Sequence, residues 1–487
     1  MFTVPAPNAQ TAAPKSRPPA KKTSAPSTAQ LRQQVQEQEK QIAELQALLA
    51  AQAQIAATQD STIVHLQQQL EILQRRQDEL EQQMPSADLT KTLGERLARV
   101  EADSNRTPEL PPDIVSAGDF PGSIRIPRSD AAVKFGGRVR FAAVVTLDAL
   151  GTEDRFLTNS IPVEGSGGDF KGARTNFSAR ASRFNVDLRS PTPIGEMRAF
   201  LEGDFASGGI ENSFRLRHAF AQYSSLLVGQ TWSTFSDPST NVLDLDFEGV
   251  SGENVIRQPL IRYSRVLRQD LRAAVAMETP QVSITGGEGV NLIPDLVARV
   301  KKESAEGRHL QAAVVFRQIR GEATAPVGAK GSVLGIGGSL SGVVSLPYTP
   351  KQDRFVFQLN GGFGTARYIN DLNSLGGQDA VFDSTGHLEA LPALGWYVDY
   401  EHQWANWDKF GFTNLRSAFI WSYVVVDNLD SQPGDAYDHT HRISANLVLT
   451  PANRLDIGLE YLYGTRTNKD GRFGHSSQVQ LVMLLVY

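Results

Sequence analysis

The chain has no cysteine among its 487 residues. That excludes disulfides, thiolate metal sites and cysteine nucleophiles, and it suits a protein that must cross an oxidising space without mispairing. Long apolar runs are missing as well. The best, Phe141 to Leu147 and Ala418 to Val426, are short and broken by polar residues. A spanning helix needs ~20 apolar residues, so a bundle of membrane helices is ruled out. Lys and Arg total 48 against 53 Asp and Glu, a net charge of −5, too small to imply a nucleic-acid partner.

Two further scarcities are local. Of 23 Phe, 11 Tyr and 5 Trp, only Phe2 and Phe120 precede residue 130, and of 41 glycines only Gly94 and Gly118 precede residue 122. One chain therefore carries two materials whose average, 40% hydrophobic, looks like an ordinary soluble protein.

Residues 1–30 are rich in Pro, Ala, Ser and Thr, with Lys15, Arg17, Lys21 and Lys22 unopposed by any acid. Such a segment cannot bury a core and is expected to be disordered. It lacks the continuous apolar stretch of a signal peptide, which leaves two readings open: the signal is already removed, or export is not used. Residues 31–84 carry a heptad. Val35, Ile42, Leu49, Ala56, Ile63, Leu70, Gln77 and Met84 recur every seventh position, and Leu31, Gln38, Leu45, Gln52, Gln59, Leu66, Leu73 and Leu80 form the second series. This is the seam of a left-handed α-helical coiled coil and predicts an oligomer. Ile and Val at one position with Leu at the other nominally favours two strands, but the Gln residues in the seam leave dimer against trimer open. Residues 85–130 then read as a short helix and a linker punctuated by Pro108, Pro111 and Pro112.

From residue 131 the period changes to two. Val133, Phe135, Val139, Phe141, Val145 and Leu147 alternate with Lys134, Arg138, Arg140, Thr146 and Asp148, and the pattern recurs to Tyr487. Sixteen such strands can be placed, joined alternately by short turns (190–193, 268–269, 451–453) and long loops (149–173, 234–255, 367–391). An even number of alternating strands with this asymmetry is the signature of an all-β, antiparallel transmembrane barrel, here occupying 131–487. In lipid every backbone N–H and C=O needs an internal partner, and closure supplies one without an edge. Trp396, Tyr400, Trp404, Trp421, Tyr423, Tyr461 and Tyr463 fall on outward faces, where barrels carry aromatic girdles. The N-terminal helix and Tyr487 then share the short-turn side, which is the periplasm in outer-membrane barrels.

Sixteen strands leave room for a water-filled lumen. Alternation points Lys134, Arg138, Arg140, Arg180, Arg198, Arg215, Arg217, Arg262, Arg317 and Arg354 inward, because a lipid-facing Arg or Lys costs about 2–4 kcal/mol near the midplane. A phase break near Ser182 makes Arg180 and Arg183 ambiguous. Glu202, Asp204, Asp399, Glu401, Asp456 and Glu460 are the inward acids. Loop 234–255 carries Asp237, Asp244, Asp246, Glu248 and Glu253 and no basic residue. Folded into the lumen, its Asp244, Asp246 and Glu248 would oppose a basic wall across a constriction. Rings of Arg and Lys favour anions; the bland alternative is that these arginines pair with neighbouring acids and only fill space.

Two stretches resemble the DcaP-like outer-membrane channel family. One is Phe120-Pro-Gly-Ser-Ile-Arg-Ile-Pro127 with Val133-Lys-Phe-Gly-Gly137 and Ser160-Ile-Pro-Val163. The other is Arg215-Leu-Arg-His-Ala-Phe-Ala-Gln-Tyr223 with Leu227-Val-Gly-Gln-Thr-Trp-Ser-Thr-Phe-Ser-Asp237. The resemblance implies a homotrimeric, 16-stranded porin in the Gram-negative outer membrane, with a periplasmic helical extension. It also implies uptake of small anionic solutes such as dicarboxylates, with pore arginines at Arg215 and Arg217. No cofactor is expected and no metal. His439 and His441 share a strand face, but two ligands without a third are a weak metal site.

Three rivals stand beside the selective channel. A general, weakly selective porin would use the coiled coil as an envelope tether, with peptidoglycan as the contact of the basic tail. An adhesin is a second. A barrel hydrolase would need Ser, His and a carboxylate or amide together on one outer wall; the eight histidines give no such grouping, so an enzyme is not expected.

Overall fold

The computed structural model describes residues 117–166, 173–207, 213–304, 307–346, 353–374, 377–404 and 414–487, with Glu71, Ile72 and Arg75 as isolated helical positions. The chain divides into two units, Met1–Leu110 and Pro111–Tyr487. The disordered segment, the coiled coil and most of the helix and linker expected over 1–130 lie outside the described residues.

Sixteen spanning strands form the second unit. They are β1 (Ala132–Thr146), β2 in two pieces (Arg174–Ser178 and Arg183–Thr192), β3 (Gly195–Ser207), β4 (Ser213–Tyr223) and β5 (Leu226–Trp232). There follow β6 (Arg257–Arg268), β7 (Leu271–Glu278), β8 (Asp295–Glu303), β9 (His309–Ala323), β10 (Lys330–Ser345) and β11 (Arg354–Phe363). The set ends with β12 (Pro392–Gln403), β13 (Asn414–Val426), β14 (Tyr437–Ala452), β15 (Leu455–Asn468) and β16 (Phe473–Val486). Each pairs antiparallel with its sequence neighbours, and β16 closes on β1 from Val486 opposite Arg138 to Gln478 opposite Thr146. The expected strands all exist, with ends shifted by a few residues. The phase break expected near Ser182 is the interruption of β2, where Ser182 Oγ accepts the Arg140 amide at 3.1 Å instead of a ladder bond forming.

The outward face is a continuous apolar band, from Phe135 on β1 (64% exposed) to Leu334 on β10 (64%) and Leu459 on β15 (53%). Trp421, Tyr400 and Tyr461 stand outward as their alternation requires. Exposed side chains of this kind in water would drive aggregation; against lipid they are the solvation.

The lumen differs from the open pore that strand number alone suggests. Inward Val315, Ile319, Val356, Ile420, Val424 and Leu462 are fully buried, because three long loops fold inside and give them an apolar partner. Loop 1 follows β1, loop 3 occupies 233–256 and loop 6 occupies 364–391. Val242, Leu243 and Val250 of loop 3 pack on Val343, Val356, Tyr397, Ala418 and Ile420. Ala366, Ile369 and Leu372 of loop 6 pack on Ala393 and Val424. Roughly the β8–β14 side of the barrel is thus a packed core, and the remaining arc stays open.

Candidate functional site

Loop 3 is pinned to the wall from end to end. At its root Asp237 accepts from His309 Nε2 and Ser341 Oγ, both at 2.7 Å, and lies 3.6 Å from Lys301 Nζ. Further along, the amides of Leu243 and Leu245 donate to Glu401 and Glu460 at 3.2 and 3.1 Å. Arg442 on β14 binds the Gly249 carbonyl and lies 3.0 Å from Asp244 and 3.4 Å from Asp246. Where the loop crosses β12 its backbone touches the wall. Gly252 has φ +80° and a Cβ there would lie 2.8 Å from the Trp396 nitrogen, while a Cβ on Gly395 would lie 2.9 Å from Gly252 Cα. Only glycine at both positions permits that approach.

Loop 6 reinforces this frame. Asp371 (φ 90°) accepts from Thr158 Oγ1 and the Asn159 amide at 2.8 Å each, Thr440 Oγ1 at 2.9 Å and Tyr437 Oη at 3.0 Å. One carboxylate therefore ties loop 1, loop 6 and β14 together. Burial raises its pKa against the pull of those donors. Burial, with the charge of Asp244 beside each, also pushes Asp246 up to about 7 and Glu253 up to about 8.

Between loop 3 and the open arc lies a cavity of about 910 Å³, extending to the short-turn end of β11–β16. Nine arginines line it: Arg138, Arg140, Arg155, Arg183, Arg215, Arg217, Arg257, Arg354 and Arg416. They face six carboxylates: Asp244, Asp246, Glu248, Glu253, Glu401 and Asp456. The excess is basic. Several carboxylates are also spent on partners: Glu401 on Arg354 (2.6 Å), Asp456 on Arg416 (2.8 Å) and Glu248 on Arg155 (3.3 Å). Arg215 and Arg217 are held rigidly by the fully buried Asp204, at 2.8 and 2.7 Å, with Glu202 3.1 Å from Arg217. Phe247 at the tip of loop 3 lies beneath the guanidiniums of Arg155, Arg215 and Arg140, at 5.2, 5.4 and 5.9 Å from its ring centre. Among the described residues, Arg138 and Arg257 have neither a hydrogen-bond acceptor nor a carboxylate within ion-pair distance.

Of the ten basic residues expected in the pore, Arg138, Arg140, Arg215, Arg217 and Arg354 line this cavity, as do the loop acids Asp244, Asp246 and Glu248. The other five do not. Arg317 is a correction: 1% exposed, it is locked to Asp295 and Asp379 at 3.0 and 2.8 Å and to the Gly364 carbonyl, because loop 6 seals it in. Arg180 sits in the β2 interruption paired with Asp154, and Arg262 bonds Thr234 Oγ1 and the Trp232 carbonyl. Arg198 pairs with Asp187 at 2.7 Å, and Lys134 lies beside Gly122, both toward the short-turn rim. Alternation missed Arg155, on a loop, and Arg257, which has outward parity. It left Arg183 ambiguous and passed over Arg416. His439 and His441 lie tilted against Tyr423 on the outer face, with ring centres 5.9 and 4.6 Å from it. Asp383, His387 and Glu389 could each offer a metal ion one ligand atom within 4.8 Å of the others, but Asp383 is committed to the Thr385 and His387 amides of an exposed turn.

A closed sixteen-stranded barrel, with a loop folded against a basic wall, describes a channel. The profile of the DcaP outer membrane protein family matches residues 43–485. The chain belongs to that family. Its location is therefore the Gram-negative outer membrane, where short turns face the periplasm. Its fold is similar to that of the outer membrane channel DcaP of Acinetobacter baumannii, with 21% identity and a TM-score of 0.63 over 76% of this chain and all of that one. An anion-selective porin from Comamonas acidovorans shares the fold more distantly, at 10% identity and a TM-score of 0.50, covering 73% of this chain and all of that one. None of the curated proteins compared with the sequence matches it significantly.

Proposed function

We propose that this outer-membrane channel admits small anionic solutes, dicarboxylates among them, by passive diffusion and without covalent chemistry. The observation that carries the reading is the arginine excess in the large cavity beside loop 3, with Arg138 and Arg257 unclaimed by any acceptor among the described residues. In a narrowed, partly dehydrated passage, fixed positive charge lowers the entry barrier for anions and raises it for cations. The pairing of Arg215 and Arg217 to Asp204 fixes two guanidiniums in place, so a carboxylate meets donors that need no reordering. The printed name of the Comamonas porin, anion-selective, is in keeping with this reading. Three copies per assembly, with a periplasmic coiled coil joining them and reaching toward peptidoglycan, complete the proposal.

The weakly selective alternative keeps one specific observation in its favour: seven of the nine lining arginines have a carboxylate or a carbonyl as partner. Reversal potentials across a planar bilayer under a salt gradient separate the two. The proposal expects anion preference that increases at low salt, and a reversal potential near zero, or of cation sign, overturns it.

A further inference from the structure

The cavity beside loop 3 has two unlike walls. From β1 round to β4 its charged lining is arginine. From β14 to β16 one level of the wall carries Val448, Gly458 and Val482, each opposite the next across the sheet, and Leu484 follows Val482 on the same face. All four line the cavity. The inner face of a water-filled barrel is ordinarily polar, so an apolar strip there calls for cover.

Loop 3 covers part of it. Arg140 Nη2 donates to the Leu245 carbonyl at 2.6 Å, which holds that stretch of the loop against the wall. A Cβ on Gly458 would lie 2.5 Å from Leu245 Cδ1 and 3.1 Å from Val448 Cγ2, so the missing side chain is the slot in which Leu245 rests. Leu245 also packs against the cluster of Ala142, Val144 and Val482. Val448 and Val482 are buried in consequence. Leu484, toward the short-turn end, and Leu245 itself stay half-buried and face the cavity. Were the strip only a seat for loop 3, Leu484 would need no apolar side chain on this side.

The border between the two walls is the seam where the barrel closes. There Leu484 pairs with Arg140, and Val486 with Arg138. Arg138 therefore stands beside the strip, lining the cavity with no acceptor or carboxylate partner among the described residues. At the far edge Arg416, opposite Val448, is already committed to Asp456 at 2.8 Å.

We propose that the strip is a subsite for the hydrocarbon part of the permeating anion, so that the preferred solutes are amphipathic monocarboxylates. The carboxylate sits at Arg138, and a short aliphatic chain lies along Leu484 and Leu245. The inference rests on the anion reading above and adds an apolar body to the solute. From β1 to β14 is three strand spacings, ~14 Å, room for a medium-length acyl chain. A second carboxylate at the end of that chain would be laid on Val448 and Leu245, losing water without gaining a free donor.

The test uses the full chain in planar bilayers. It reads how butyrate, hexanoate and octanoate, with octanedioate as the dicarboxylate of equal length, interrupt the chloride current. The half-blocking concentration should fall roughly two- to four-fold per added methylene, the scale of burying a CH₂ in part or in full. Octanoate should block at lower concentration than octanedioate. Leu484→Asn should flatten the series while butyrate blocks as before, and Leu484→Met should keep the slope. A half-blocking concentration indifferent to chain length overturns the proposal. So does octanedioate blocking more tightly than octanoate, or a slope that survives Leu484→Asn. The wild-type slope and the octanoate–octanedioate order decide the matter even if Leu484→Asn fails to insert. Reversal potentials in potassium chloride, with no carboxylate present, test the anion reading separately, so the two failures are told apart.

Discussion

Two groups of arginine share one inward-facing pattern and do opposite things. On the side filled by loops, Arg317 and Arg442 are 1% exposed, and each is enclosed by carboxylates and carbonyls that loops bring to it. On the open arc, inward Arg138 faces the cavity with no partner among the described residues, and Arg215 lines it with Asp204 as its ion-pair partner. Residue type and strand parity are the same. What differs is whether a loop arrives to neutralise the charge. A buried guanidinium with its acids becomes a bolt, whereas one left facing a wet cavity becomes part of a filter.

The sharpest way to break the comparison is Arg317→Met. It strands the buried Asp295 and Asp379, and removing one partner of a buried pair costs about 3–5 kcal/mol. Denaturant-induced unfolding of the barrel should move by that amount while surviving channels keep their ion preference. A change of preference with stability intact would reverse the assignment. Next is Arg442→Gln, which removes the ion pairs of loop 3 to β14, leaving the Asn446–Leu243 hydrogen bond, and sets Asp244 and Asp246 facing each other. Single-channel conductance should rise and become noisy, because the constriction loses its main pin; an unchanged conductance would place the narrowing elsewhere.

Arg138→Glu should act the other way round. With no partner to lose among the described residues, the fold should melt as before, but the anion-to-cation permeability ratio should fall roughly five-fold, the equivalent of ~1 kcal/mol for reversing one charge in a partly wet site. The smallest effect is that of pH. Glu253 and Asp246 hold their protons longer in the docked loop than in an unfolded chain, so docking is strongest below pH 4.5 and 3.8 respectively and weakens up to about 8 and about 7. Both ionisations also add negative charge to the cavity. Anion preference measured from pH 6 to 9 should decline by roughly two-fold, the scale of one or two screened charges, and Glu253→Gln should remove the upper part of that decline.

Much of the barrel was legible in the chain. A period of two, an apolar outer parity and alternating connection lengths are imposed residue by residue through lipid and the pleat, so strand number, the β2 interruption and the outward girdle could be read directly. The pore was legible in part. Arg138, Arg140, Arg215, Arg217 and Arg354 follow from parity alone. Arg317 does not, because its fate depends on Asp379, sixty-two residues away on a loop. Arg257 breaks parity because loop 3 removes the neighbouring strand, and nothing within its own segment signals that.

The sequence by itself determined which wall the strand residues face, Arg257 at the end of loop 3 excepted, because alternation is local and the solvent on each side is chemically distinct. The tertiary structure decided which inward charges remain available. That choice is made by loops 1, 3 and 6 folding back over long sequence separations, delivering acids to some arginines, apolar cover to half the lumen and, among the described residues, no partner to Arg138 or Arg257.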